Sequence, residues 1–166
     1  AEVILGSDIS YGNWNGAAYT DNETGEFSHC VVSADYVSGD ELYFSVTRTG
    51  EVGVGILSPN LNLRTGERFP ISLYVDRRAP IYGTAEAIEG NFAILIIPEL
   101  ERALNDFKRG QTLVVEGVGL RGEYDLTGTF RALDEVINCA IRYYGFAQAT
   151  TTPTASKVNI DQSYLY

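Results

Sequence analysis

The sequence predicts a mainly β domain, an antiparallel β-sandwich or flattened barrel of about nine or ten strands closed by two packed α-helices. Three observations carry this. Short runs alternate apolar and polar residues with a period of two, glycine-bearing turns separate the runs, and helical spacing occurs in only two segments. The turns include three copies of Thr-Gly-Glu, opened by Thr24, Thr49 and Thr65, and the related Arg121-Gly122-Glu123. Their unequal spacing argues against a solenoid repeat; their common meaning is a turn in which glycine supplies a positive φ.

Taken in order, the first strands fall at 14–20 and 27–33. Leu42, Phe44 and Val46 then face one way, and Tyr43, Ser45 and Thr47 the other. After a strand at 52–57, Phe69, Ile71, Leu73 and Val75 form a second apolar face opposite Pro70, Ser72, Tyr74 and Asp76. This alternation is what a sheet with one wet face requires. A strand at 81–87 follows. The run 92–97 (Phe-Ala-Ile-Leu-Ile-Ile) does not alternate and reads as a strand covered on both faces.

Residues 98–109 switch to helical period, with Leu100, Ala103, Leu104 and Phe107 on one face. Pro98 suits the first turn, Lys108 and Arg109 complement the C-terminal end, and Gly110 stops the helix. Strands at 112–118 and 123–126 lead into a second helix over 130–144, with Thr129 as N-cap and Gly145 as terminator. Residues 1–145 thus read as a single β-rich domain. Residues 146–166 read as a C-terminal extension, linker-like at first, whose end is a candidate edge strand for this molecule or for a homo-oligomer.

Twelve Lys and Arg against 22 Asp and Glu leave a formal net charge of −10. So acidic a surface repels phosphate backbones and argues against nucleic-acid partners and anionic lipid. The run 92–97 falls far short of the ~20 apolar residues of a membrane span. Cys30 and Cys139 are the only cysteines, and one histidine completes the soft-ligand inventory, so no Cys/His zinc cage can be assembled and no metal or cofactor is expected. The two thiols are either free and buried or joined in a long-range disulfide; the disulfide is the favoured reading. The chain contains no Met and begins Ala1-Glu2-Val3, as a mature exported protein would after signal removal. With the cysteine pair, this points to a periplasmic or secreted location.

No catalytic residue stands out. His29 is adjacent to Cys30, and adjacent strand residues face opposite sides of the sheet, so a Cys–His couple is geometrically poor. Gly117-Val118-Gly119-Leu120-Arg121-Gly122 matches G-x-G-x-x-G, but strand residues follow where a dinucleotide site needs a helix N-terminus, so it reads as a glycine-rich hairpin. Residues 21–25 read as a hairpin tip lacking the length and closing Glu of a calcium loop. Asp40-Glu41 and Asp134-Glu135 are neighbours in sequence and do not by themselves converge on a cleft. Trp14 reads as a core anchor. Tyr43, Tyr74 and Tyr82 lie on the polar phase of their strands and, with Tyr164 and Tyr166 of the extension, form the candidate interaction surface.

Several pieces also match a known pattern in order. They are Gly12-Asn13-Trp14 before a strand carrying Cys30, Ile56-Leu57-Ser58-Pro59 with Leu63-Arg64-Thr65-Gly66, and Leu73-Tyr74-Val75-Asp76. Leu104 through Gly110 into Thr112-Leu113-Val114-Val115 follows, and Leu126-Thr127-Gly128-Thr129-Phe130-Arg131-Ala132-Leu133-Asp134 is the nearest match. Together, over residues 12–136, they resemble the invasion-associated locus B family of exported bacterial proteins. The chain departs from that family in lacking a second cysteine pair within 83–90 and in carrying Cys139. The resemblance implies a β-sandwich-like periplasmic or secreted domain, linked in some pathogens to host-cell entry. It transfers no catalytic residues.

The expected function is therefore a non-catalytic exported interaction or structural domain, host- or envelope-associated, whose partner is a protein or envelope component. The alternatives are a small-ligand carrier with a cavity inside the barrel, or a hydrolase whose carboxylates converge only in the fold. An apolar pocket with converging charged groups would favour the alternatives, and an open aromatic face the interaction domain.

Overall fold

A computed structural model describes the chain from Ala1 through Ala149. The alternating runs pair into one antiparallel sheet of ten strands: β1 (Ile9–Tyr11), β2 (Trp14–Thr20), β3 (Phe27–Asp35), β4 (Glu41–Thr47), β5 (Val52–Leu57), β6 (Arg68–Val75), β7 (Ile81–Glu89), β8 (Phe92–Ile96), β9 (Thr112–Gly117) and β10 (Leu120–Asp125). The spatial order is β1-β2-β3-β4-β5-β8-β7-β6-β9-β10. Helix α1 (Leu100–Arg109) connects β8 to β9, and α2 (Thr129–Ala149) follows β10.

The sheet is a flattened barrel that does not close, because β1 and β10 remain unpaired edges. Side chains draw the far end inward instead. The Tyr36 hydroxyl, in the β3–β4 turn, donates to the Asp125 carbonyl at 2.9 Å, and its ring meets Tyr124 edge-on at 5.1 Å. Leu42, Phe44, Val46, Val54, Leu73 and Leu95 line the inner face and are buried, as their alternation requires. Helix α2 lies against β2, β3 and β4 and touches α1. The Cys30–Cys139 disulfide ties β3 to α2, with Cα atoms 6.2 Å apart.

Both helices depart from their expected ends. Glu99 takes a left-handed conformation (φ 51°), so α1 begins at Leu100 and Pro98 lies outside it. Arg102 holds this entry by donating to the Ala79 and Pro80 carbonyls and to the Glu99 carboxylate. Thr129 is the first residue of α2, not its cap: its hydroxyl is fully buried without a hydrogen-bond partner. Gly128 (φ 79°) makes the turn into the helix, and its carbonyl accepts from the Ala132 N–H. Gly145 does not stop α2, which continues to Ala149. Residues 150–166, and with them Tyr164 and Tyr166, lie outside the described residues.

The G-x-G-x-x-G stretch forms the β9–β10 hairpin. Gly117 pairs with Leu120, leaving Val118 (φ 47°) and Gly119 (φ 78°) as a two-residue turn. Two successive positive φ values match the primed turn that suits the twist of a hairpin, and a β-branched residue resists them. Val118→Asn is therefore expected to raise the unfolding free energy by about 1 kcal/mol. Urea denaturation checks this; an unchanged or lower midpoint would contradict it.

Candidate functional site

Registry places Tyr43, Tyr74 and Tyr82 on the same outer face of the sheet, but not in one cluster. Tyr82 pairs with Ser72, two residues from Tyr74 on the neighbouring strand, so these two are diagonal neighbours. Tyr43 lies on β4, with β5 and β8 between it and β7. Tyr82 is 72% exposed, whereas Tyr43 and Tyr74 are half-buried. The Tyr43 hydroxyl donates to Glu41, and burial followed by that bond pushes its pKa up.

Between them lies a surface that tyrosine positions alone did not mark. The strand β8, expected to be covered on both faces, is covered on one. Ala93 and Leu95 are buried inward, while outward Ile96 is 43% exposed and Phe92 and Ile94 are partly buried. On β5 the outward positions are Gly53, Gly55 and Leu57, which pair with Ile96, Ile94 and Phe92. None of these six positions carries a polar group. The glycines make the strip a shallow trough: the Phe92 ring lies over Gly55, where an added Cβ would meet it at 3.0 Å. Tyr43 closes one side, meeting Phe92 edge-on at 5.2 Å. The missing alternation in 92–97 was the signal for this surface.

The inner face holds a cavity of about 100 Å³ between β5, β8, β7, β6, β9 and β10. Val54, Leu73, Leu95 and Val115 form its apolar wall, and Asn60, Leu61 and Leu120 stand at the rim. One carboxylate lines it, that of Asp40. The Tyr124 hydroxyl donates to Asp40 Oδ2 at 2.7 Å, while Oδ1 is buried and has no hydrogen-bond partner. Burial, then the bond to Asp40, pushes the Tyr124 pKa up, so the phenol stays a donor at neutral pH. Burial likewise pushes Tyr36 up to about 12. Gly122 makes room for this arrangement: a Cβ there would stand 2.5 Å from the Tyr124 hydroxyl. Arg121 also lines the cavity, but its guanidinium is engaged by Glu123 and Tyr74. Asp40 and Tyr124 are 84 positions apart, and no local pattern joins them.

Glu41, the sequence neighbour of Asp40, points to the other face, where it accepts from Ser33 and Tyr43. A carboxylate pair flanking a bond, as glycoside hydrolysis uses, needs a second carboxylate that this cavity lining does not contain. His29 stacks on Tyr19 at 5.4 Å and accepts or donates at Nδ1 to the Ser28 hydroxyl; burial pushes its pKa down. It stands on the outer face, away from the disulfide. Asp21 caps the β2–β3 turn by accepting from the Glu23 and Thr24 N–H groups, which lowers its pKa. Among the described residues, no three His, Cys, Asp or Glu side chains converge to hold a metal, and no helix is long and apolar enough to cross a membrane.

No protein-family model and no curated protein matches the chain. Among solved structures it is similar to invasion associated protein B from Bartonella henselae, with a TM-score of 0.56 over 79% of this chain and 95% of that one. Sequence identity is 16%, so the likeness is one of fold. The resemblance legible in the turns and helix faces thus corresponds to a shared three-dimensional framework: the chain has the fold of an invasion associated protein B.

Proposed function

We propose that the protein is a non-catalytic interaction domain, periplasmic or secreted, that meets a protein or envelope component through the outer face of β4, β5 and β8. The observation that carries this reading is the strip of six outward positions on β5 and β8 without a polar group. An antiparallel sheet with a solvated outer face alternates, and an apolar, aromatic-edged exception marks a contact surface. The disulfide supports an oxidising compartment. The fold shared with an invasion-associated protein supports a host or envelope component as the partner.

Photo-crosslinking tests it. A benzophenone side chain placed at Ile96 is expected to give discrete covalent adducts in the envelope or host fraction, whereas one at Glu123, on the same face but on β10, four strands away, gives none. Ile94→Asp in the Ile96-labelled protein should abolish the adducts while changing stability by less than about 1 kcal/mol. Equal labelling from both positions, or no adduct from Ile96, would refute the reading.

A further inference from the structure

The inner cavity is separate from the outer strip, and its chemistry is distinct. A buried carboxylate oxygen without a donor is costly, and a charge-assisted hydrogen bond is the strongest way to satisfy it. Tyr124 supplies one donor, to Oδ2, and leaves Oδ1 unmatched. Arg121, the other charged residue of the lining, is turned to Glu123 and Tyr74 and does not supply the second. Most of the remaining wall is apolar, Val54, Leu73, Leu95 and Val115 among it, with Ser58 and Asn60 the other polar side chains. We propose that this cavity is a binding site for a small amphiphilic cation, with its ammonium on Asp40 and a short apolar body against Val54, Leu95 and Val115.

Size, charge and access agree with this class of ligand. An apolar cavity of about 150 Å³ accepts benzene, so about 100 Å³ admits roughly four heavy atoms. The rim residues Asn60 and Leu120 are exposed, which leaves a route in from solvent. The net charge of −10 draws cations and repels anions of the same shape. A ligand this small binds in roughly the millimolar range, and the selectivity between head groups is the informative quantity.

Propylammonium, 1-propanol and propanoate share a short apolar body and differ in the head group, so a protein-observed NMR titration with each decides the matter. Propylammonium is expected to shift the Val54, Leu95, Val115 and Gly122 amides saturably, with propanol at least about tenfold weaker and propanoate inert. Asp40→Asn keeps an acceptor for Tyr124 but removes the charge, and should erase the preference for ammonium over alcohol. Val115→Phe fills the wall and should abolish binding of every probe; amide dispersion of both variants reports that they fold. Propanol or propanoate binding as tightly as propylammonium overturns the proposal. So does undiminished selectivity in Asp40→Asn, or the absence of any shift at about 50 mM probe. The crosslinks expected from Ile96 do not depend on this outcome.

Discussion

Breaking the Cys30–Cys139 disulfide is expected to lower the unfolding free energy by about 4–5 kcal/mol. The bond joins residues 109 positions apart, so in the unfolded chain it closes a loop that includes β4 through β10 and α1. In the chain-entropy account a closure of that length is worth about 4.8 kcal/mol at room temperature. Against a typical total of 5–15 kcal/mol this is a large share. Both cysteines are buried, at 0% and 2% exposure, and α2 keeps its apolar contacts with β2, β3 and β4 when the bond is cut. The reduced protein should therefore retain the fold with little reserve. Urea denaturation of oxidised protein, reduced protein and the Cys30→Ala/Cys139→Ala variant measures the effect. The last two midpoints should nearly coincide, well below the first, and the variant should ignore reductant. A wild-type midpoint that reductant leaves in place would contradict the assignment.

What local sequence reported depended on how local the physics was. The alternation of β4 and β6 declared their faces because one side of each is wet and the other packed. The same rule misread β8, since an apolar outward face and a covered face both lack alternation; only the pairing of Ile94 with Gly55 and Ile96 with Gly53 separates them. Helical spacing found α1 but not its first residue, because the left-handed turn at Glu99 is held by Arg102 reaching back to the Ala79 and Pro80 carbonyls. Thr129 carries the residue type of a cap yet is buried inside the first turn of α2. The β5–β8 pairing, which sends β6 and β7 to the far side of β8, is a long-range choice that hairpin turns do not encode. The Asp40–Tyr124 bond is of the same kind: it exists only once the sheet has curled far enough to bring β10 to the β3–β4 turn.

Truncating Phe44 to Ala is expected to cost about 3–5 kcal/mol, the range for emptying an aromatic site that cannot collapse. Phe44 is fully buried at the middle of β4, paired to Val32 on one side and Val54 on the other. Its ring meets Trp14 of β2 at 5.5 Å and Phe107 of α1 at 5.7 Å, so it joins sheet and helix in one packed contact. Those neighbours are anchored independently, Trp14 in the β2 ladder and Phe107 on a helix tied by the Asp106–Arg78 ion pair, which limits how far they can close on the void. Trp14 is the only tryptophan, so its emission reports this site directly and should shift to the red as the packing loosens. Phe44→Leu retains most of the volume and should cost less than the Ala variant. Tyr82→Ala, at an exposed outer position, should stay within about 0.5 kcal/mol of wild type. A loss below about 2 kcal/mol for Phe44→Ala would mean that the α1 side repacks around the void. Cys30 pairs with Val46, two residues from Phe44, so the two large losses act on one region of the sheet. The disulfide acts mainly through the unfolded chain, so the losses nearly add to about 7–10 kcal/mol, more than the stability of many domains, and reduced Phe44→Ala protein is expected to be unfolded before any urea is added.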